Sequence, residues 1–344
     1  MQNRITEKDR LLDENGKLKH KGYATELLLN YDRNDIKAGK LRIKEWDYYL
    51  INNNKFALAL TIADNSYMGL NSVSLIDFEK GAEITKSFMS FMPNGKTNLP
   101  STSLNGNVEV KTDKIELIFK NDNGKRELYA FVKNFKDGLS LKAKINIEVP
   151  KGDSMVIATP FPKDDKAFYY NQKIIGMKAF GEICFGDNKI ILGKDDTFAL
   201  LDWGRGVWTY KNTWYWSAAA TMQEGKVFGF NLGYGFGDTS AATENMLFYN
   251  GTAHKLDNVN FGIPKNNKGE EDYLKEWIFT SDDNRLEMKF QPILDRKSYT
   301  SALIICSDQH QVFGRFNGKA ILDDGSIIEV KNMYGFAEKV FNKW

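Results

Sequence analysis

Hydrophobic and polar residues alternate with a period of two along most of the chain, as in antiparallel strands that bury one face. In residues 139–149, for example, every odd position is apolar and every even position is polar or charged. Turn dipeptides such as Asn250-Gly251 and Asp324-Gly325 separate such segments. No window keeps a helical stripe for four turns, so we predict only short helices, one over residues 73–79, and leave 273–280 undecided between helix and strand. The pattern predicts an all-β fold of barrels or sandwiches.

The chain is long enough for two domains, since 344 residues at roughly 150 per domain give about two. Two passages rich in Asp, Gly and aromatic residues, 45–70 and 200–217, each precede a run of predicted hairpins. We therefore predict an N-terminal arm over residues 1–22, a first β-barrel domain over 23–198 and a second over 199–344. The predicted fold class is two consecutive antiparallel β-barrels or sandwiches with few short helices.

The composition limits the class of partner. Hydrophobic residues at 42% and aromatic residues at 13% exclude a disordered chain. The formal net charge of +2 provides no field for nucleic-acid binding. The N-terminus lacks a signal-peptide pattern, and no apolar run approaches the roughly 20 residues of a membrane helix. Cys184 and Cys306, far apart, are typical of reduced thiols. We predict a cytoplasmic protein with a small-molecule ligand or substrate, no nucleic-acid partner and no membrane span, and leave its oligomeric state open.

The densest aromatic passage is 200–217, which contains four of the seven tryptophans. If residues 211–213 form a hairpin loop, strand alternation places four rings on one face. These rings are Trp208, Tyr210, Trp214 and Trp216. Such a face is either a dry core layer or the wall of a cavity for an apolar or planar ligand, and both interpretations stay open.

Asp202 and Arg205 precede this aromatic face. Charged groups are costly to bury unless they pair with each other or with a ligand. Gly204 and Gly206 flank the arginine, which indicates a bulge or a close approach of another group to the backbone. The two residues therefore form either a structural ion pair or a pair of charged groups that face a ligand.

Glycines at 233, 235 and 237 have the period of a strand and predict a bulky neighbour against the backbone, either the tryptophans or a ligand. A two-residue hairpin at Asn250-Gly251 would set Leu247 opposite His254. Glu244 then shares a face with Met246 and Phe248, while His254 lies on the other face, so the two cannot serve one interior site. Glu244 is the predicted inward carboxylate and a candidate general acid.

Other candidate groups carry less information. His310 follows an apolar strand and is either a structural group or a substrate-binding residue. Glu45 and Asp47 alternate with Trp46 and are expected on a solvated face. The chain contains no phosphate-binding loop, no His-Glu-x-x-His zinc motif and no Gly-x-Ser-x-Gly elbow. We therefore predict neither a metal nor a cofactor.

Several blocks of the sequence resemble a bacterial family known as domain of unknown function 2804. The blocks are Gly22-Tyr23-Ala24, Arg42 to Tyr49, Asp202 to Trp208, Ala242-Thr243-Glu244-Asn245 and Gly335-Phe336-Ala337-Glu338. The resemblance covers essentially the whole chain and implies no activity.

A more distant resemblance is to the lipocalin-like hydratases and cyclases, which include carotenoid hydratases and tocopherol-cyclase-like proteins. It rests on the order Asp202, Gly204, the aromatic pair Trp214 and Trp216, and Gly225 in a turn. The resemblance implies two lipocalin-like barrels and cofactor-free acid catalysis on apolar polyene or prenyl substrates. That group has histidine directly after the aspartate where this chain has Trp203, so only Asp202 is carried over as a catalytic residue.

The functional hypothesis is a cofactor-independent acid–base enzyme of hydratase, isomerase or lyase type that acts on an apolar or planar molecule in a barrel cavity. Asp202 or Glu244 would supply the proton, and Arg205 and Tyr210 would orient the substrate. The indoles of Trp208, Trp214 and Trp216 would shield an electron-poor intermediate. The alternatives are a non-catalytic lipid or small-molecule binding protein, a carbohydrate-active protein, and aromatic blocks that only join two barrels.

Overall fold

The computed structural model describes residues 2–122, 124–302 and 305–343, and strands dominate it. The strands of the first part are β1 Asp9–Arg10, β2 Gly22–Ala24, β3 Leu29–Asn30, β4 Ile43–Asn52, β5 Phe56–Asp64, β6 Met68–Asp77, β7 Ala82–Phe91, β8 Val108–Lys111, β9 Ile115–Asp122, β10 Lys125–Lys136, β11 Leu139–Glu148, β12 Met155–Phe161, β13 Asp164–Phe185, β14 Asn188–Leu192 and β15 Phe198–Val207. Those of the second part are β16 Lys211–Gln223, β17 Lys226–Tyr234, β18 Met246–Tyr249, β19 Thr252–Lys255, β20 Val259–Asn260, β21 Trp277–Ser281, β22 Leu286–Ala302, β23 Ile305–Ile321 and β24 Ile327–Lys343. Two 3₁₀ turns, Arg33–Asp35 and Lys40–Arg42, precede β4. None of the described helices has the length and apolar character needed to cross a membrane.

Two large antiparallel sheets follow one another along the chain. The first runs β7-β6-β5-β4-β15-β13-β11-β10-β9-β8, with β12 and β14 also paired to β13, and β2 paired to β12. The second runs β19-β18-β17-β16-β24-β23-β22-β21-β20. Each sheet curls, because β7 approaches β10 in the first and β17 approaches β20 in the second. The predicted fold class of two consecutive antiparallel barrel or sandwich units is confirmed.

The described residues form three buried apolar clusters. One lies within the first sheet and contains Tyr49, Leu201 and Trp203, and another lies within the second sheet around Phe230 and Trp277. The third joins the outer faces of the two sheets and contains residues of both. Strands β4 and β15 therefore bury both faces, which explains why their side chains are almost uniformly inaccessible.

This double burial corrects one expectation. Glu45 and Asp47 are 3% and 7% exposed rather than solvated. Arg33 forms an ion pair with Glu45, and the Tyr31 hydroxyl donates to the same carboxylate at 2.7 Å. Asp47 pairs with Arg205 at 3.0 Å. Paired charges of this kind are the form in which ionised groups tolerate a protein interior.

Several local predictions are settled by the pairing of strands. The helix expected over 73–79 is wrong, because β6 pairs with β5 and β7 through residue 77. The undecided segment 273–280 contributes to β21. The hairpin at Asn250-Gly251 is confirmed, with Leu247 opposite His254. The two sheets divide between Val207 and Lys211, whereas the predicted domain boundary falls at the start of β15.

The N-terminal segment contacts both parts of the molecule. Tyr23 in β2 pairs with Ile157 of β12 and accepts from Ile5 through its backbone carbonyl at 2.7 Å. The backbone amide of Asn3 donates to the carbonyl of Ala241 at 2.8 Å. The Gln2 side chain accepts from the Thr243 amide at 2.7 Å. The segment thereby holds the loop that carries Glu244.

Candidate functional site

A cavity of about 580 Å³ lies between the outer faces of the two sheets. Its aromatic lining comprises Trp46, Tyr48, Tyr67, Tyr169, Trp208, Trp214, Trp216 and Phe236. Its charged lining comprises Glu83, Lys173, Asp202, Glu244, Arg296, Lys297 and Glu338. Of the two expected positions for a cavity, between or within the barrel units, the structure has the first, and apolar side chains fill the interior of each sheet. The alternative in which the aromatic blocks only join two barrels and leave no cavity is also wrong.

Strand alternation places the cavity residues. Trp46 and Tyr48 leave β4 on the face opposite Tyr49, and Asp202 leaves β15 on the face opposite Trp203. Gly204 lies opposite Trp46 in the strand pairing, and a Cβ on this glycine would overlap the indole. The predicted close approach at Gly204 is confirmed, and the approaching group is Trp46.

Asp202 faces hydrogen-bond donors on both carboxylate oxygens. The indole Nε1 of Trp46 donates to Oδ2 at 3.0 Å, and Asn171 Nδ2 donates to Oδ1 at 2.5 Å. The Lys173 ammonium lies 3.7 Å from Oδ1. Asp202 is 7% exposed and lines the cavity. Both oxygens of Asp202 therefore face hydrogen-bond donors.

Lys173 lies between two carboxylates. Its Nζ donates to Glu244 Oε2 at 3.0 Å and to the Tyr169 hydroxyl at 2.9 Å. It also sits over the Trp216 ring, 4.6 Å from the centroid. Burial alone would lower the pKa of the ammonium, but the Asp202 and Glu244 carboxylates outweigh burial and raise it well above its usual value. Lys173 is therefore a fixed cation rather than a neutral amine nucleophile.

Glu338 is a further carboxyl of the cavity and is 4% exposed. Trp214 Nε1 donates to its Oε1 at 2.9 Å, and Gln311 Nε2 donates to its Oε2 at 2.8 Å. Burial raises the pKa of Glu338 to about 7, although these two hydrogen bonds act in the opposite direction. A substantial fraction of Glu338 is therefore protonated near neutral pH.

The indoles surround these groups at contact distance. Trp208 lies edge-on to both Trp46 and Trp214, with ring centroids 5.4 Å and 5.7 Å apart. Trp216 lies edge-on to Tyr48 at 6.0 Å and donates from Nε1 to Asn231 Oδ1 at 2.8 Å. These edge-to-face contacts hold the rings in place while leaving part of their surface on the cavity.

Gly233 makes room for Glu244. It lies opposite Trp216 in the strand pairing, and a Cβ there would overlap Glu244 Oε1. The bulky neighbour predicted for this glycine is therefore the carboxylate. Gly235 and Gly237 follow the end of β17 with φ of 88° and 72°, so they serve turn geometry rather than a flat face.

Gly233→Ala is expected to destabilise the protein by about 1–3 kcal/mol, because the added methyl displaces Glu244 from Lys173. Urea unfolding followed by tryptophan fluorescence measures this loss. Gly39→Ala is the matched control, since no atom lies within 4 Å of a Cβ at that position. Equal unfolding midpoints for the two variants would contradict the role assigned to Gly233.

Three predicted site residues lie away from the cavity lining. Arg205 is wholly buried on the other face of β15, where it donates to the carbonyls of Trp46 and Pro100 at 2.7 Å each and pairs with Asp47. Because Asp202 and Arg205 are three residues apart in one strand, they point to opposite faces. The expected convergence of this acid and base on one ligand is therefore wrong.

Tyr210 and His310 also require correction. Residues 208–210 connect the two sheets instead of forming one arm of a hairpin, and Tyr210 is 49% exposed. His310 stacks on Tyr273 with centroids 3.9 Å apart and bonds Asp295 at 2.6 Å. Its neighbours on β23, Gln309 and Gln311, line the cavity, so alternation turns the imidazole away.

The described part of the chain holds no cluster of three or more His, Cys, Asp or Glu side chains arranged to bind a metal ion. Asp202 and Glu244 are bridged by the Lys173 ammonium, which occupies the position that a cation would take. The chemistry available from this side-chain set is proton transfer, ion pairing and ring-face contact.

Lys173, Tyr169, Arg296 and Glu338 are site residues that the sequence analysis missed as functional groups. Glu338 belongs to the block Gly335-Phe336-Ala337-Glu338, which resembles the DUF2804 family, and this resemblance is the feature of the sequence that could have identified it. Lys173 occupies a long strand of mixed composition, and its role depends on contact with Asp202 of the first sheet and Glu244 of the loop before β18.

Comparison with solved structures places the fold. A candidate AttH protein from Nitrosomonas europaea superposes with a TM-score of 0.57 at 12% sequence identity, covering 90% of this chain and 96% of that chain. Kievitone hydratase from Nectria haematococca gives a TM-score of 0.49 at 11% identity, covering 88% of each chain. No curated protein gives a significant match. The likeness to the first structure shows a shared fold.

The protein-family comparison covers nearly every residue. The matching model is described as Domain of unknown function (DUF2804) and spans residues 2–344. The match includes both sheets and all the cavity residues. The chain belongs to the DUF2804 family.

Proposed function

We propose that the protein is a cofactor-independent acid–base enzyme that acts on a small apolar or planar molecule held between the two sheets. One observation carries the proposal: a carboxyl with a pKa of about 7, Glu338, shares a cavity with Asp202, whose oxygens face donors. Acids in contrasting surroundings are the usual means of providing a proton donor and a proton acceptor together.

The two carboxyl groups take separate roles. Protonated Glu338 transfers its proton to an electron-rich atom of the substrate, and the developing cation faces the rings of Trp208, Trp214 and Trp216. Asp202 then takes a proton, either from a neighbouring carbon or from a water molecule that adds to the cation. One proton enters the substrate and one leaves, so the sequence yields an isomer or a hydrated product without an oxidant.

Lys173 and Glu244 support Asp202. The ammonium stabilises the negative charge of Asp202 before proton transfer, and Glu244 holds the ammonium in place at 3.0 Å. Glu244 is thus a positioning residue in this scheme. This assignment replaces Glu244 as the proton donor, because Oε2 of Glu244 is held in an ion pair by the Lys173 ammonium.

Asp202→Asn is expected to reduce turnover by about 10²–10⁴-fold, the range for loss of a general base. The substrate is identified by incubating the protein with a metabolite extract in D₂O and searching by mass spectrometry for deuterium incorporation or for addition of one water. Asp113→Asn, at an exposed loop position, is the control and should retain full turnover.

The same experiment separates the alternatives. A non-catalytic binding protein would return its ligand unchanged and without deuterium. A carbohydrate-active protein would consume oligosaccharides from the extract. Full turnover in a folded Asp202→Asn variant would remove Asp202 from the mechanism.

A further inference from the structure

Arg296 is a cavity residue that the proposed mechanism does not use. It lies on β22 opposite Gln311 of β23 and reaches from the second sheet to the first. Its guanidinium donates to Ser74 Oγ at 2.6 Å and to Gln311 Oε1 at 2.5 Å. Both acceptors are neutral, so these contacts position the arginine without balancing its charge.

Arg296 lacks a carboxylate partner within the structure. Across residues 2–122, 124–302 and 305–343, no carboxylate oxygen lies within 4.0 Å of its nitrogens, whereas Arg33 and Arg205 each hold one. Gln311 stands between Arg296 and Glu338, since it accepts from the arginine and donates to the acid. Glu338 therefore acts on Arg296 only at longer range, and a partly buried guanidinium without a direct counter-ion is costly unless an anion completes the site.

Arg126 also has no carboxylate partner among the described residues, but it donates to Tyr49 and Ser103 and lies outside the cavity lining. Arg296 differs because it lines the cavity itself. A guanidinium carries five N–H donors in a planar fork, and the two recorded bonds leave donors for a further acceptor.

The charges around the cavity are compatible with one bound anion. Asp202 and Glu244 would repel an anion at their end, but Lys173 lies against both. Glu338 is uncharged when it acts as the proton donor. Near Arg296, the remaining charged lining residues are Lys297 and Glu83, and both are exposed. The positive end of the cavity is therefore the Arg296 end.

We propose that Arg296 binds the carboxylate of the ligand and that the ligand is an unsaturated organic acid. Its carboxylate would form charge-assisted bonds with the guanidinium fork, and its apolar body would lie against the indoles. The proposal rests on the proposed function for the role of the apolar body, since anchoring the acid end at Arg296 presents that body to Glu338 and Asp202. The cavity lining also includes hydroxyl side chains able to donate hydrogen bonds to an acid. These side chains are Thr61, Ser72, Thr85, Ser298 and Ser307.

The test uses cinnamate and cinnamamide, which share a planar apolar body and differ in charge. Quenching of tryptophan fluorescence measures the dissociation constant of each. The protein is expected to bind cinnamate at least about tenfold more tightly, as a hydrogen bond to a charged group is worth about that factor or more. Arg296→Gln should abolish this preference and leave cinnamamide binding unchanged.

Two further variants make the result specific. Lys289→Gln, at an exposed position of the same strand β22 outside the cavity lining, should keep the preference for cinnamate. Arg296→Lys should keep part of it, because the charge remains while the planar fork is lost. Equal binding of the two probes by the unaltered protein, absence of binding of both, or a preference that survives in Arg296→Gln would overturn the proposal.

The outcome is independent of turnover. A preference for the acid without deuterium incorporation into any ligand would support the Arg296 site and count against the proposed enzyme activity. Turnover of a neutral compound by an Arg296→Gln variant at the unaltered rate would support the enzyme and overturn the assignment of its substrate class.

Discussion

Glu338→Gln should lower turnover by about 10²–10⁴-fold and remove the decline of activity above about pH 7 that the unaltered protein should show. The reason is that burial raises the pKa of Glu338 to about 7, so the proton donor is lost as the pH rises through that value. Measuring kcat/KM from pH 5 to pH 9 tests both expectations. Glu329→Gln, an exposed position on the same strand β24, is the matched control.

The same group predicts a change in stability with pH. The pKa of this carboxyl rises from 4.5 to about 7 on folding. Its contribution to the free energy of unfolding is therefore greatest below pH 4.5 and falls as the pH rises towards 7. The loss amounts to about 3 kcal/mol at pH 8, as an order-of-magnitude value. The difference in unfolding free energy between Glu338→Gln and the unaltered protein should therefore shift in favour of the variant between pH 4.5 and pH 8. A difference that stays constant with pH would contradict the shifted pKa.

Lys173→Met should destabilise the protein by about 3–5 kcal/mol at neutral pH. Removing the ammonium leaves Asp202 and Glu244 without their shared cation in a buried site, and an uncompensated buried charge is the expensive part of a broken ion pair. Urea unfolding measures the loss. Lys189→Met removes an exposed ion pair with Glu182 and should change stability by less than about 1 kcal/mol.

A combined variant distinguishes charge from packing. Adding Asp202→Asn and Glu244→Gln to Lys173→Met removes the uncompensated charges and should restore much of the lost stability. Lys173 itself does not titrate between pH 6 and pH 9, because its pKa is raised above the usual value and the ammonium persists throughout that range. If the triple variant is no more stable than Lys173→Met, packing rather than charge is responsible.

Local pattern was sufficient for much of the backbone. Alternation with a period of two predicted strands for both halves, and the Asn250-Gly251 turn set the register that places Leu247 opposite His254. Glycine at 204 predicted a close approach to the backbone, which Trp46 makes. These features depend on residues near one another in sequence, and side-chain direction in a strand follows directly from parity.

Strand alternation also predicts that Arg205 and Asp202 point to opposite faces. Asp202 and Arg205 are three positions apart, so one strand cannot turn both towards the same ligand. The sequence therefore held the information that separates them, although their proximity in the chain favoured a pair. Glu244 lines the cavity and His254 does not, but Glu244 lies in the loop before β18 rather than in the strand from which parity was argued.

What the sequence by itself determined was an all-β chain with tandem sheets, its hairpin registers, and a set of aromatic and acidic residues able to form a site. Only the tertiary structure decided that the cavity lies between the outer faces of the sheets, that Lys173 joins Asp202 to Glu244, and that Glu338 and Arg296 complete the lining. The physical reason is that strand alternation is a local property, whereas burial and ion pairing depend on which faces meet. Those contacts join residues of two sheets separated along the chain, and a shifted pKa or an uncompensated guanidinium arises only after the sheets have packed.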